Sequence, residues 1–264
     1  SWEPVRALGT LTVYDDTPPE LIPERVQGQD VVLVNKVLLG KREIPFFSHV
    51  GMVGVLATGY NTIELEAFAE KHIPVCNVVS YGVEDVAQHA MALLLELCRS
   101  ITMHSESIKA GEWERSGSWC YWKKTPRSLS GLTLGILGFG AIGRCVGRLG
   151  HAFGMNVCAV RHSSRQEAPE YTPFSFVSLP ELFAKANVIT LHCPLTAETK
   201  QIIDEKAIAQ MQPGTILINT ARGPLLDEEA CAAALHSGKL GGLGADVLAQ
   251  EPPCANNPVC QPAK

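Results

Sequence analysis

Leu134-Gly135-Ile136-Leu137-Gly138-Phe139-Gly140-Ala141-Ile142-Gly143 decides the fold. Four mostly apolar residues read as a buried strand, and the glycines that follow fall at 138, 140 and 143 in a G-x-G-x-x-G spacing. The three glycines serve different ends. Gly138 permits the tight turn, Gly140 lets the backbone approach a pyrophosphate closely, and Gly143 lets the next helix pack on the strand. That helix, from about Ala141 through Arg148, points its N-terminal N–H groups at the phosphates. Alone the pattern is weak. Here it sits between a strand and a helix, with a second strand at Met155–Val160, and it predicts dinucleotide binding.

Outward from this stretch, apolar runs alternate with helical segments along the whole chain. Towards the C-terminus, Ser178 to Glu181 is a capping box, Asn187 to Pro194 a strand stopped by proline, and Thr215 to Thr220 another. Asp204 and Asp227 cap helices, the second of which ends at Ser237-Gly238, and Gly242 to Leu248 reads as a last strand. Towards the N-terminus, strands are expected at Leu11–Tyr14, Asp30–Val34, Val50–Ala57 and Ile73–Asn77. Helices are expected over Pro4–Leu8, over Pro18–Val26 and from Asn61, with one long helix over Val83–Ile108. Strands separated by helices imply parallel α/β sheets.

At 264 residues the chain is long enough for nearly two domains, and 46% hydrophobic with 19% charged residues describes a globular core. A net charge of -5 supplies no basic field for nucleic acid, no run reaches the length of a membrane span, and Ser1-Trp2-Glu3-Pro4 has no basic segment followed by an apolar one, so no secretory signal is visible. The 9 cysteines are scattered, without C-x-x-C, which suits a reducing cytoplasm and gives no metal-ligand spacing. Trp113, Trp119, Tyr121 and Trp122 crowd one non-periodic arm and need a cover, either a partner subunit or their own domain.

Ligands of such sheets gather at the carboxyl ends of strands. Where the second strand ends, an NAD site usually offers an acid to the ribose; this chain has Arg161, followed by His162. A guanidinium there favours a 2′-phosphate, hence NADP. Arg222, in Asn219-Thr220-Ala221-Arg222-Gly223, follows a buried strand and is suited to gripping a carboxylate and polarising a carbonyl. Asp246 and Glu251 follow the last strand, where they can orient a histidine or a nicotinamide, cap a helix, or lie in a solvated turn.

These motifs together, with Ala57-Thr58-Gly59, His192-Cys193-Pro194 and Val86-Ala87-Gln88-His89, resemble the D-isomer-specific 2-hydroxyacid dehydrogenases. The arm, Gly111-Glu112-Trp113 with Trp119-Cys120-Tyr121-Trp122, is most similar to the glycerate dehydrogenase (hydroxypyruvate reductase) branch. The resemblance implies two Rossmann-like or flavodoxin-like parallel-sheet domains, the cofactor domain doubly wound. A substrate-binding part would span residues 1–82 and a cofactor-binding part 83–264, with a dimerisation helix and arm over about 83–130. It implies a homodimer acting on a small 2-keto or D-2-hydroxy acid with NAD(P)(H).

Carried over position by position, Arg222 would bind the substrate carboxylate and carbonyl oxygen. Thr58 and Gly59 would hold the other carboxylate oxygen, and Thr58 would also touch the nicotinamide. Ala141 and Ile142 would cover the pyrophosphate, Cys193, Pro194, Thr220 and Ala221 would line ribose and nicotinamide, and Asp246 would bond the carboxamide. Glu251 would pair with a proton-donating histidine, raising its pKa.

In the family that histidine follows in a Pro-His motif, which is not reached by Lys264. None of the 8 histidines has its context, and the lone His192 reads as a packing or ribose-contact residue. The usual first strand is also missing ahead of Ser1, so the expectation is a piece of an enzyme, cut at both ends and turning over little by itself. Asn61 and Gln88 stand where many relatives carry aspartate and glutamate. The rival from another class is a nucleotide-sensing corepressor scaffold on the same fold, and formate- or phosphite-oxidising relatives remain within the enzyme class.

Overall fold

Short apolar runs, each closed by a turn or a capped helix, build two parallel sheets. The computed structural model describes residues 2–161 and 167–260. The chain divides into two units, Ser1–Tyr81 and Gly82–Lys264.

The first unit contains α1 (Glu3–Arg6), α2 (Ile22–Val26), β1 (Val31–Val34), β2 (Met52–Val55), α3 (Leu65–Ala69) and β3 (Val75–Asn77). Its three strands pair in parallel in the order β1-β2-β3. Ile22, Val26, Val53, Val55, Phe47 and Phe68 fill the core, the two rings meeting edge to face at 5.3 Å. Two expectations fail here. Leu11–Tyr14 is not a strand: among the described residues no neighbouring strand offers it a ladder, and the Tyr14 ring instead lies under the Arg25 guanidinium, 3.9 Å away. The helix expected from Asn61 starts only at Leu65, because Ile63 is held in a parallel bridge to Leu39 and the Glu64 carboxylate accepts the N–H of Lys41.

The second unit runs through α4 (Val83–Arg99), α5 (Ile101–Lys109), α6 (Glu112–Ser116), β4 (Thr133–Leu137), α7 (Ala141–Ala152), β5 (Asn156–Val160) and β6 (Phe174–Val177). It continues through α8 (Leu179–Lys185), β7 (Val188–Leu191), α9 (Glu205–Gln210), β8 (Thr215–Asn219), α10 (Glu228–His236) and β9 (Leu240–Ala245). Among the described residues its strands form a six-stranded parallel sheet ordered β6-β5-β4-β7-β8-β9. The order reverses between β4 and β7, the arrangement of a doubly wound nucleotide fold.

Alternate strand residues serve opposite faces. Leu134, Ile136, Ile216 and Ile218 pack with Ala87, Met91 and Leu94 of α4 and Val146 of α7. Leu137, Ile189, Leu191 and Leu217 pack with Leu182, Ile208 and Cys231 of α8, α9 and α10. Every residue of β7 and β8 is buried, as a strand covered on both faces requires. The three caps form as the sequence indicates. Ser178 and Glu181 make a reciprocal capping box, and Asp204 and Asp227 accept the N–H groups of Ala207 and Ala230.

Three expectations need correcting in this unit. The helix expected over Val83–Ile108 breaks at Ser100, whose left-handed backbone (φ 49°, ψ 49°) ends α4 and opens α5. Its N–H still bonds Glu96 O, and the Glu96 carboxylate accepts Thr102 N–H to restart the helix. The last strand runs Leu240–Ala245 rather than Gly242–Leu248, entering early through a register shift between Thr215 and Ile216. The edge strand β6 was not expected from the sequence. Its four residues follow Pro173 and alternate aromatic with serine or valine, too short a pattern to stand out.

Candidate active site

Five strands of the larger sheet deliver their carboxyl-end turns to one edge, and the expected site residues of that unit lie there. The β4 turn is held by backbone geometry. Gly138 has φ 102°, and a Cβ on it would lie 2.4 Å from Cys193 N and His192 C at the end of β7. A Cβ on Gly143 would lie 2.1 Å from Gly138 O, so the first turns of α7 close onto the β4 turn only without a side chain there. Gly140, the residue preceding α7, is the opposite case: nothing lies within 4 Å of its Cβ position. The space beside it is open, and the first N–H groups of α7, from Ala141 to Gly143, have no partners within the helix. That is a cradle for an anion of phosphate size.

At the end of β8 the chain turns through Thr220-Ala221-Arg222. Asn219, fully buried, brackets this turn: its Nδ2 donates to Arg222 O at 2.9 Å and its Oδ1 accepts Ala221 N–H at 3.1 Å. The Arg222 guanidinium is partly buried and donates from Nη1 to Ala221 O at 2.6 Å. Thr220 Oγ1 is buried and has no partner among the described residues, a cost of the order of 1–3 kcal/mol that a bound polar ligand removes. The open Gly140 cradle and this orphaned hydroxyl, on the same sheet edge with only the end of β7 between them, fit a nicotinamide dinucleotide.

The end of β7 carries His192 and Cys193. The His192 imidazole contacts Thr190 Oγ1 at 2.8 Å, and burial pulls its pKa down to about 4, so it is neutral at physiological pH. It is a packed polar residue, one of the two roles expected of it. Burial pushes the Cys193 thiol up to about 11, which removes thiolate chemistry from this corner. Pro194 is exposed just beyond.

At the end of β5, Arg161 is exposed with its guanidinium stacked over the Phe176 ring of β6, 4.3 Å from the centroid. His162 lies outside the described residues. At the end of β9, Asp246 Oδ2 faces His89 Nε2 of α4 at 3.6 Å. Glu251 Oε1 accepts the N–H of Leu248, within the exposed turn that follows. Asp246 and Glu251 line one 410 Å³ pocket with Leu243, Leu248 and Pro253. Of the alternatives left open for these two acids, the structure gives Asp246 a histidine and Glu251 a backbone partner in a turn. Among the described residues no metal-holding cluster of His, Cys, Asp and Glu occurs, and no helix is long and apolar enough to cross a membrane.

Thr58 and Gly59 follow β2 in the smaller unit. Thr58 is exposed, and its carbonyl accepts Asn77 Nδ2 at 2.8 Å, which ties the turn to the end of β3. Two residues of the larger site were not singled out from sequence. Asn219 was read only as part of a motif, although a polar residue closing an apolar strand signals a turn clamp. His89 was read only as part of a helix, although its i, i+4, i+8 spacing with Leu93 and Leu97 places it on the face that packs on the sheet.

Comparison with known proteins agrees with this geometry. Residues 91–264 match the family model described as D-isomer specific 2-hydroxyacid dehydrogenase, NAD binding domain. Hydroxypyruvate reductase of Blautia hydrogenotrophica is 38% identical over 98% of this chain and 81% of its own. Glycerate dehydrogenase of Methylorubrum extorquens is 36% identical over 94% of this chain and 76% of its own. Among solved structures, a glyoxylate reductase from Paecilomyes thermophila superposes with a TM-score of 0.85 at 30% identity, covering 99% of this chain and 81% of that one. The doubly wound sheet, the glycine turn and these matches together show that the chain belongs to the D-isomer specific 2-hydroxyacid dehydrogenase family of NAD-dependent oxidoreductases.

Proposed function

We propose that the protein transfers hydride reversibly between NADP(H) and a small 2-keto or D-2-hydroxy acid, with hydroxypyruvate and glycerate, or glyoxylate and glycolate, as the substrate pairs. The observation that carries this reading is Arg222, whose backbone is held by the Asn219 bracket at the carboxyl end of β8 and whose guanidinium donates to Ala221 O. A cation fixed there grips the α-carboxylate and polarises the adjacent carbonyl. The names its relatives bear, hydroxypyruvate reductase, glycerate dehydrogenase and glyoxylate reductase, support the substrate class.

The nicotinamide supplies the hydride. Gly138, Gly140, Ala141, Ile142 and Gly143 hold its pyrophosphate, and Cys193, Pro194, Thr220 and Ala221 line the ribose and ring, with Thr220 Oγ1 finding there the partner it lacks. Asp246 accepts from the carboxamide. Thr58 and Gly59 would bind the second carboxylate oxygen through backbone N–H groups, and Glu251 would pair with a proton-donating histidine where the family's Pro-His motif supplies one. Arg161 supports the phosphorylated cofactor: it lies where an acid would repel a 2′-phosphate, and its stacking on Phe176 preorganises the guanidinium.

A homodimer formed through the arm is part of the same reading, supported by Trp119 at 96% exposure beside the exposed Trp113 and Trp122. Nine free thiols suit a reducing cytoplasm.

The test is hydroxypyruvate reduction by the full-length protein and its Arg222→Gln variant. Loss of Arg222 is expected to lower kcat/KM by about a thousandfold, or ~4 kcal/mol, with NADPH affinity retained. Unchanged turnover in Arg222→Gln would remove the enzyme reading.

A further inference from the structure

Helix α4 lies on β9 in a register that places one of its side chains beyond the strand's end. The Cβ positions of Gly242 and Gly244 lie 3.1 Å from Leu97 Cδ2 and from Leu93 Cβ, respectively. Four helix residues advance about 6 Å and two strand residues about 6.6 Å. Leu97, Leu93 and His89, at four-residue intervals, therefore step along Gly242, Gly244 and Asp246. Both glycines lack the side chain that would hold the helix away, and the last pair in this series is His89 Nε2 with Asp246 Oδ2 at 3.6 Å.

This pair is poorly suited to stabilising the fold. The two side chains are 49% and 43% exposed, and an ion pair so open to water contributes between about 0 and 1 kcal/mol. Its position is more telling than its strength. Asp246 is the acid that the proposed function aims at the nicotinamide carboxamide, and a carboxylate on a freely turning χ1 spends most of its time in other rotamers. A donor anchored on a seventeen-residue helix restricts that choice from outside the site.

We propose that His89 is a positioning residue for cofactor binding: its Nε2, at ion-pair distance from Asp246 Oδ2, holds that oxygen and leaves Oδ1 directed at the amide of the nicotinamide. The inference rests on the placement of the nicotinamide beside Asp246 and goes beyond it by assigning the residue that orients the acid. His89 acts on cofactor affinity and leaves the grip of Arg222 on the keto acid unchanged.

A double-mutant cycle on NADPH binding tests this, read by nicotinamide fluorescence in the full-length protein with no substrate present. Asp246→Asn is expected to weaken NADPH binding about tenfold and His89→Leu about fivefold, with Asp246→Asn/His89→Leu no weaker than Asp246→Asn alone. His89→Gln, which keeps an Nε2 donor on a chain of similar reach, is expected to restore most of the loss. In turnover, KM for NADPH should rise while kcat and KM for hydroxypyruvate hold. Additive losses, or full affinity in His89→Leu, would overturn the role of His89 while leaving Asp246 in place. Full affinity in Asp246→Asn would instead remove the placement of the nicotinamide, and with it this inference. A folding defect in His89→Leu is separated by thermal midpoint and by the His89→Gln arm, whose failure to restore affinity in a folded protein also overturns the proposal.

Discussion

Asn219 and Arg222 are joined backbone to side chain: the Asn219 amide donates to the Arg222 carbonyl oxygen at 2.9 Å while its own oxygen accepts Ala221 N–H at 3.1 Å. One fully buried side chain thus ties together two backbone groups of the turn that presents the guanidinium. Asn219→Ala removes the partner of the Ala221 amide and one of the two donors to the Arg222 carbonyl, Leu225 N–H remaining, and the expected loss of stability is about 1–3 kcal/mol. The KM for the keto acid should rise by more than the KM for the cofactor. Denaturant midpoints and steady-state kinetics check both.

The glycines of the β4 turn separate binding from folding. Gly140→Ala adds a methyl group to open space, so its stability should stay within about 0.5 kcal/mol of the parent. Its NADPH affinity should fall about tenfold or more, because the methyl occupies the path of the pyrophosphate. Gly143→Ala forces a Cβ to within 2.1 Å of Gly138 O and should cost about 3 kcal/mol or more of stability. Thermal midpoints beside NADPH titrations distinguish the two variants.

His192 makes the protein acid-sensitive in a definite window. Its folded pKa of about 4 lies below the ordinary value of 6.5, so between these limits the unfolded chain binds the proton that the folded chain refuses. Stability therefore rises with pH through that window. It is lost as pH falls, by up to ~3 kcal/mol. Guanidinium midpoints at pH 7 and pH 4.5 should differ less in His192→Gln than in the parent protein.

Cofactor choice should follow Arg161. In Arg161→Asp the cation stacked on Phe176 becomes a charge that repels a 2′-phosphate and accepts from ribose hydroxyls. The ratio of kcat/KM for NADPH to that for NADH is expected to drop by about tenfold or more. An unchanged ratio would show that the phosphate, if bound, is held elsewhere.

Much of this was legible in the chain because local chemistry and global fold agree. Leu134–Gly143 announces strand, turn and helix through residue types suited to each, and Ser178, Asp204 and Asp227 each cap a helix that forms. The failures share a physical cause, which is that partners distant in sequence decided the outcome. Leu11–Tyr14 has strand-forming residues and no strand to join, while Ser100 carries no breaker signature and still reverses its backbone. Within the proposed site, Arg222 and Asp246 are legible as charges closing apolar strands. His89 was not, because its meaning depends on two glycines some 150 residues later that let α4 settle on β9.

The left-handed Ser100 has a bearing on how sequences of this kind diverge. It uncouples two obligations that a continuous helix would fuse: α4 must keep its phase against β8 and β9, whereas α5 answers to the aromatic segment beyond it. A swivel residue between them absorbs a change of direction on one side without rotating the other. Substitutions, even insertions, past Ser100 can therefore reshape the Trp113–Trp122 arm while the nucleotide sheet keeps its geometry, leaving the two free to drift at separate rates.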